Sequence, residues 1–240
     1  MKVAVLSDIH SNCFALQAVI EEMTAENPDA VIVLGDTFGY YPWALKTYRC
    51  VHKLDPLALL GNHDKLVIET DPPPVETVHW EIAKQNQQDL ATAPEALLWL
   101  QELLPKREWN IGGVQVLCCH GTPVDPLNGR YYPDDSPDPP WRPKANDVLL
   151  MGHTHYPLVR TVASGGLIAN PGSVGQPRDG DLRASWGLFY PLERRFELRR
   201  TRYDVEGTIE KLCELGWHSL AIEALRKSYR GPLKRPGNMQ

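Results

Sequence analysis

The chain has 240 residues, enough for one large core, and its 42% hydrophobic and 23% charged content is that of a soluble globular protein. A formal net charge of -5 argues against nucleic acid as the main partner, and no run approaches the roughly 20 apolar residues of a membrane span. The five cysteines form neither an even framework nor a Cys-x-x-Cys pair, so they read as reduced thiols of a cytoplasmic protein, and an immediate first strand leaves no room for a signal peptide.

Residues 2–7 read as a strand running into Asp8-Ile9-His10. Ser11 or Asn12 caps a following helix in which Leu16, Val19, Ile20 and Met23 keep the spacing of one buried face. Asn27-Pro28-Asp29 ends it, and a second strand, 31–34, runs into Gly35-Asp36. This βαβ pattern predicts parallel, neighbouring strands. A second unit passes through 43–53 to a short buried strand, 57–60, ended by Gly61-Asn62-His63-Asp64. Asp71-Pro72-Pro73-Pro74 breaks the chain, and 75–90 and 94–104 read as helices beside the sheet, flanking the mouth of a site. Residues 108–111 and 114–119 read as a hairpin around Gly112-Gly113, with Cys118 and Cys119 on opposite faces and His120-Gly121 at its end.

The proline-rich segment 122–146 is the longest break in the pattern. Its place between two polar motifs fits a lid or specificity loop, with a solvated excursion as the alternative. Residues 148–151 then run into Gly152-His153-Thr154-His155. Strand signals at 158–162, 167–170, 185–190 and 195–203 imply antiparallel pairing added to a parallel start. Asp204 caps a helix with Val205, Ile209 and Leu212 inward and Gly216 at its close, and 226–240 is a basic, solvated tail. With no repeat and no linker, 1–240 reads as one domain.

Five apolar runs thus end in side chains rich in nitrogen and oxygen, and five of the eight histidines (His10, His63, His120, His153, His155) fall there. Sites in open α/β sheets form outside the carboxyl ends of the strands, so these ends can meet at one place. Mixed carboxylate and imidazole donors suit Mn, Fe, Zn or Ni, whereas Mg and Ca prefer oxygen alone. His153 and His155, two apart in an extended segment, would face one side.

The ordered set Asp8-x-His10, Gly35-Asp36, Gly61-Asn62-His63-Asp64, His120-Gly121 and Gly152-His153-x-His155 resembles the calcineurin-like metallophosphoesterase superfamily. The tail Asn170-Pro171-Gly172-Ser173-Val174-Gly175-Gln176-Pro177-Arg178-Asp179-Gly180 looks like its small bacterial phosphodiesterase branch. The resemblance implies an α/β fold, a four-layer sandwich of two mixed β-sheets flanked by helices. It implies two divalent transition-metal ions, the first held by Asp8, His10 and His155, the second by Asn62, His120 and His153, with Asp36 bridging them. A hydroxide shared by the ions would attack a small phosphodiester, possibly a nucleotide, and His63 would protonate the leaving oxygen. A phosphomonoester or a dinucleoside polyphosphate is the alternative substrate. Outside enzymes, relatives that have lost site residues serve as scaffolds, as in retromer, and a nucleotide-binding regulator is a further reading; here all seven ligand positions and His63 are present.

One departure stands out. Many relatives continue Gly-Asp into an Asp-Arg-Gly turn whose aspartate orients the proton-donating histidine and whose arginine binds phosphate, but this chain reads Thr37-Phe38-Gly39-Tyr40-Tyr41-Pro42. The partner of His63 is therefore not named by the sequence, and a phosphoprotein substrate is disfavoured. Ser11 stands where the branch usually has glycine. Arg178 is either a substitute phosphate clamp or a surface turn residue, and Asn12 either contacts substrate or caps its helix. Ser173, with no base beside it, reads as a tight turn, and Asp64 as a cap. Phe38, Tyr40, Tyr41 and Trp43 either pack under their loop or stack on a base.

Overall fold

A computed structural model describes residues 1–75 and 77–229, with the side chains of 227–229 left aside. The elements follow in the order β1 (Val3–Leu6), α1 (Cys13–Glu26), β2 (Ala30–Val33), α2 (Ala44–His52), β3 (Leu57–Ala58), α3 (Asn62–Ile68), α4 (Val78–Leu90), α5 (Pro94–Glu102), β4 (Lys106–Ile111) and β5 (Val114–Cys119). They continue with β6 (Val148–Met151), β7 (Leu158–Thr161), β8 (Leu167–Asn170), β9 (Ala184–Tyr190), β10 (Arg195–Thr201), α6 (Val205–Glu214) and α7 (Ser219–Tyr229). Two five-stranded mixed sheets result, ordered β10-β9-β1-β2-β3 and β4-β5-β6-β8-β7. The expected βαβ start holds, since β1 pairs in parallel with β2 and β2 with β3. The expected late antiparallel pairing holds for β9 with β10 and β7 with β8, while β8 joins β6 in parallel.

Continuous apolar strands belong in sheets buried on both faces. Val3 and Val5 of β1 turn toward the second sheet, where Val116, Cys118, Val148 and Leu150 meet them. Ala4 and Leu6 turn outward onto Leu16, Val19 and Met23 of α1. The outer face of the second sheet, carrying Cys119, Leu149, Met151 and Ile168, is covered by Tyr131 and Trp141 of segment 122–146. That segment is neither free nor simply solvated: Tyr131 is buried, and its hydroxyl bonds to Arg160 of β7.

Several boundaries differ from the sequence reading. The third strand stops at Ala58, because the Leu60 amide turns away to the Leu104 carbonyl. The helix expected from residue 75 begins at Val78, where Thr77 caps it by accepting from the Trp80 amide. Arg226, read as the start of a basic tail, lies in α7, whose Ala221 and Leu225 are buried with Ile209 and Leu212 of α6 against Tyr41 and Trp43. The remainder of that expectation, 230–240, lies outside the described residues. Among the described residues, no helix is long and apolar enough to cross a membrane.

Candidate metal centre

The motifs meet where the carboxyl ends of β1, β2, β5 and β6 face the start of α3. Sharp turns do the aiming. Asp8, His10, Asp36, His153 and His155 all have positive φ, between 51° and 64°, a conformation that L residues adopt only when their surroundings enforce it. This corrects the expectation that His153 and His155 share one face of an extended segment: the left-handed turns send them to different clusters. Asp8, His10 and His155 form one group of mutually close donor atoms, and Asp36, His120 and His153 form another. Asp36 Oδ2 stands 3.4 Å from His120 Nε2 and 3.7 Å from His10 Nε2, between the two groups. Asn62 Oδ1 lies 3.1 Å from His120 Nε2. All seven expected ligands therefore converge, and a third group, His10, Asp36 and His63, puts His63 at their edge.

Whether these donors fit cations follows from the lone pairs. The Nδ1 atoms of His10, His120 and His155 lie 3.3, 2.8 and 2.7 Å from the carbonyls of Phe38, Leu34 and Gln176, which only an N–H can satisfy. Each ring, in its neutral form, therefore turns its Nε2 lone pair inward, the arrangement that backbone carbonyls impose on metal-binding histidines. Yet His10 Nε2 faces His155 Nε2 at 3.0 Å, and His120 Nε2 faces two oxygen acceptors. Asp8 Oδ1 is buried with no hydrogen-bond partner, 3.2 Å from His155 Nε2. Acceptors facing acceptors in a dry site call for positive charge between them. The donor set fits divalent cations.

The protein's own charges point the same way. Burial works to raise the pKa of Asp8, but the adjacent His155 outweighs it and holds the carboxyl well below its usual range. Burial likewise opposes ionisation of Asp36, and His120 and His63 overcome it. His120 is depressed by burial yet held at about 9 by Asp36, so in the protein alone a proton sits where the donors converge. Burial lowers His63 and His153 to about 4.

The surroundings of the ligands were only partly legible. Arg178 borders the same cavity, fixed by Nε and Nη2 on Gln176 Oε1 at 3.2 and 2.8 Å and by Nη2 on the Tyr40 hydroxyl at 3.1 Å. Asn12 does not: it is fully buried, its oxygen accepting from the Ala15 amide to cap α1 and its NH2 donating to the Gly175 carbonyl. Its side chain is committed to the fold, which removes the substrate contact suggested for it. Ser173 is the expected turn residue, donating to the Asp8 carbonyl at 2.7 Å. Asp64 caps as expected, accepting from the amides of Gly61 and Phe38, both at 2.9 Å. Phe38, Tyr41 and Trp43 pack in the interior.

Tyr40, read in the sequence only as an aromatic that packs or stacks on a base, lines the cavity, as do His79 and Arg130, which were missed. Arg130 donates from Nε to His153 Nε2 at 3.3 Å, presented by a turn in which Gly121 and Gly129 lie so close to other backbone that no side chain fits. The glycine spacing after His120 was the one available signal for it.

The profile described as calcineurin-like phosphoesterase superfamily domain matches residues 1–189. An uncharacterized protein of Methanocaldococcus jannaschii, MJ0912, is 30% identical over 226 residues, 88% of this chain and 92% of that one. Phosphodiesterase YfcE of Escherichia coli is 28% identical over 201 residues, 78% of this chain and 86% of its own. The crystal structure of a metallophosphoesterase from Sphaerobacter thermophilus, 28% identical, superposes with a TM-score of 0.75 over 95% of this chain and 99% of that one. With the profile covering strands and ligand motifs alike, the chain belongs to the calcineurin-like phosphoesterase superfamily, hydrolases that act on phosphoric esters.

Proposed function

We propose that the chain hydrolyses small phosphodiesters with two divalent transition-metal ions, one held by Asp8, His10 and His155, the other by Asn62, His120 and His153, and both by Asp36. The observation that carries the reading is the pair of donor groups meeting at Asp36, with imidazole Nε2 lone pairs turned inward. Divalent ions, when bound there, supply charge that acidifies water and offsets the negative phosphoryl oxygens. The chain's own residues do the rest. Arg178 and Arg130 border the cavity as cations without a carboxylate partner among the described residues, suited to hold phosphoryl oxygens. His63, at the start of α3, protonates the leaving oxygen; an anionic phosphate beside it favours the imidazolium that burial alone disfavours.

Room for a second substituent favours a diester over a monoester. The cavity over the ligands, ≈ 390 Å³, adjoins a second of ≈ 380 Å³ that shares Asn62 and Leu66 and runs along α3 to Pro73, Trp80 and Leu127. The name of the Escherichia coli relative agrees. The test is hydrolysis of bis-p-nitrophenyl phosphate beside p-nitrophenyl phosphate by metal-stripped protein reloaded with Mn, for wild type and Asp36→Asn. Diester cleavage by wild type and its loss in the variant are expected. Preference for the monoester would move the substrate class to phosphomonoesters, and no cleavage of either ester by the loaded wild type refutes the reading.

A further inference from the structure

The proton donor lacks the carboxylate that would orient it. Asp64, next in sequence, is turned into the helix cap, and among the described residues the His63 imidazole takes no side-chain hydrogen bond. What surrounds it instead is a set of ring faces. The Tyr40 ring lies 5.0 Å away at an interplanar angle of 36°, the His10 and His79 rings stand at 4.9 and 5.3 Å and steeper angles, and Gly39 backs the ring so closely that a Cβ there would lie 3.0 Å from His63 Cβ and 3.1 Å from Nδ1.

Tyr40 is itself fixed at three points. Its hydroxyl accepts from Arg178 Nη2 at 3.1 Å and stands 3.2 Å from His79 Nε2, to which it can donate, and its carbonyl accepts from Trp217 Nε1 at 2.7 Å. Arg178 rests on Gln176, whose amide donates to Ser173 Oγ at 2.7 Å, and Ser173 donates to the carbonyl of Asp8. A continuous set of bonds thus ties the wall beside His63 to the peptide of a metal ligand. We propose that Tyr40 is the positioning residue of the proton donor, its anchored ring face holding the His63 imidazole in the orientation that a carboxylate gives elsewhere. The inference rests on the reading of His63 as the donor, and the experiment separates the two.

Methyl p-nitrophenyl phosphate releases a stable anion that needs little protonation, whereas methyl phenyl phosphate releases a more basic phenoxide that does. Loss of a positioned acid therefore falls on the second ester. His63→Ala, as Mn-reloaded full chain, is expected to lose about 10²-fold or more in kcat on the phenyl ester and far less on the nitrophenyl ester. Tyr40→Leu, which keeps apolar volume but no ring face, is expected to lose about 10-fold or more in kcat on the phenyl ester selectively, whereas Tyr40→Phe keeps the ring face and the wild-type ratio of kcat between the two esters; loss of the hydroxyl that holds Arg178 raises KM in both variants and on both esters alike. A loss shared equally by both esters, no loss, or a Tyr40→Phe ratio as low as that of Tyr40→Leu overturns the positioning role. If His63→Ala itself shows no dependence on the leaving group, the donor reading fails, and this inference with it.

Discussion

Gly61→Ala isolates the contact that sets Asp36, the proposed bridging ligand. Gly61 has φ -96° and ψ 173°, a backbone that any residue adopts, so the substitution meets no conformational penalty. Its difficulty is steric. A Cβ at Gly61 would stand 2.0 Å from Asp36 Oδ1 and 2.2 Å from the Asp36 amide, the former 1.4 Å short of the 3.4 Å at which ordinary contact begins. Neither side yields easily, because Asp36 Oδ1 accepts from the His63 amide at 2.8 Å while the Gly61 amide donates to Asp64. Relief requires Asp36 to swing off its hydrogen bond or α3 to shift with Asn62 and His63 aboard. Overpacking of this kind costs about 1–3 kcal/mol, and loss of a hydrogen bond to a charged group about 1.5–3 kcal/mol. Restriction of the unfolded chain by alanine offsets about 0.4–1 kcal/mol, leaving a net destabilisation of about 2–5 kcal/mol. In a domain of this size that is about 4–20 °C in Tm. Thermal unfolding and calorimetric titration with Mn are the assays, and uptake of the ions should weaken together with Tm. An alanine variant that melts with wild type and takes up Mn equally well would refute the argument that Gly61 sets Asp36.

Two further outcomes follow from the charges. Because His120 is held at about 9 by Asp36, above its ordinary 6.5, Mn must displace a proton at neutral pH; affinity should rise toward pH 9, and titration in buffers of different ionisation enthalpy should show proton release. In chelator-treated protein the same group contributes stability that is full below pH 6.5 and lost as pH rises through about 9, so Tm should fall across that window, and a flat profile would contradict it. Arg130→Ala removes a cation at the cavity wall, worth about 1.5–3 kcal/mol as a charged hydrogen bond to phosphate. KM for the diester should rise by about 10- to 100-fold with metal content unchanged, and an unaltered KM would exclude Arg130 from substrate binding.

Strands β1, β2, β5 and β6 were legible because each is a run of apolar residues halted by a Gly, Asp or His at its carboxyl end. The topology of a parallel start then brings those ends together, which is why the cluster of donor side chains could be read before any coordinates. Two of the failures have a common physical origin. The two-residue β3 and the helix α7 each depend on a partner distant in sequence, Leu104 for Leu60 and the aromatic 40–43 stretch for Ala221 and Leu225, whereas the start of α4 is set by the local Thr77 cap, a signal that stood in the sequence. Segment 122–146 reads as a lid or specificity loop, with a solvated excursion as the alternative, yet two of its aromatic side chains make it the cover of the second sheet. Local pattern carries no information on which face a lone Tyr131 or Trp141 will find.

Tyr40 and the missed residues His79 and Arg130 come from three unrelated stretches, and their meaning emerges only against the rest of the molecule's arginines. Arg183 pairs with Asp181, Arg195 with Glu193, and Arg200 with Asp179. Arg178 and Arg130 are oriented instead by neutral acceptors, Gln176 Oε1 and the Tyr40 hydroxyl for one, His153 Nε2 for the other. A neutral acceptor fixes where a guanidinium points while leaving its charge uncancelled, whereas a carboxylate fixes it by cancelling the charge. Two such cations at the wall of a cavity whose floor already gathers cation-binding donors give a surface complementary to a phosphate group. In the proposed mechanism the work divided elsewhere between the aspartate and the arginine of one turn is spread over Tyr40, Arg178 and Arg130. A search for that turn alone would therefore report an incomplete site where, on this proposal, both functions come by another route.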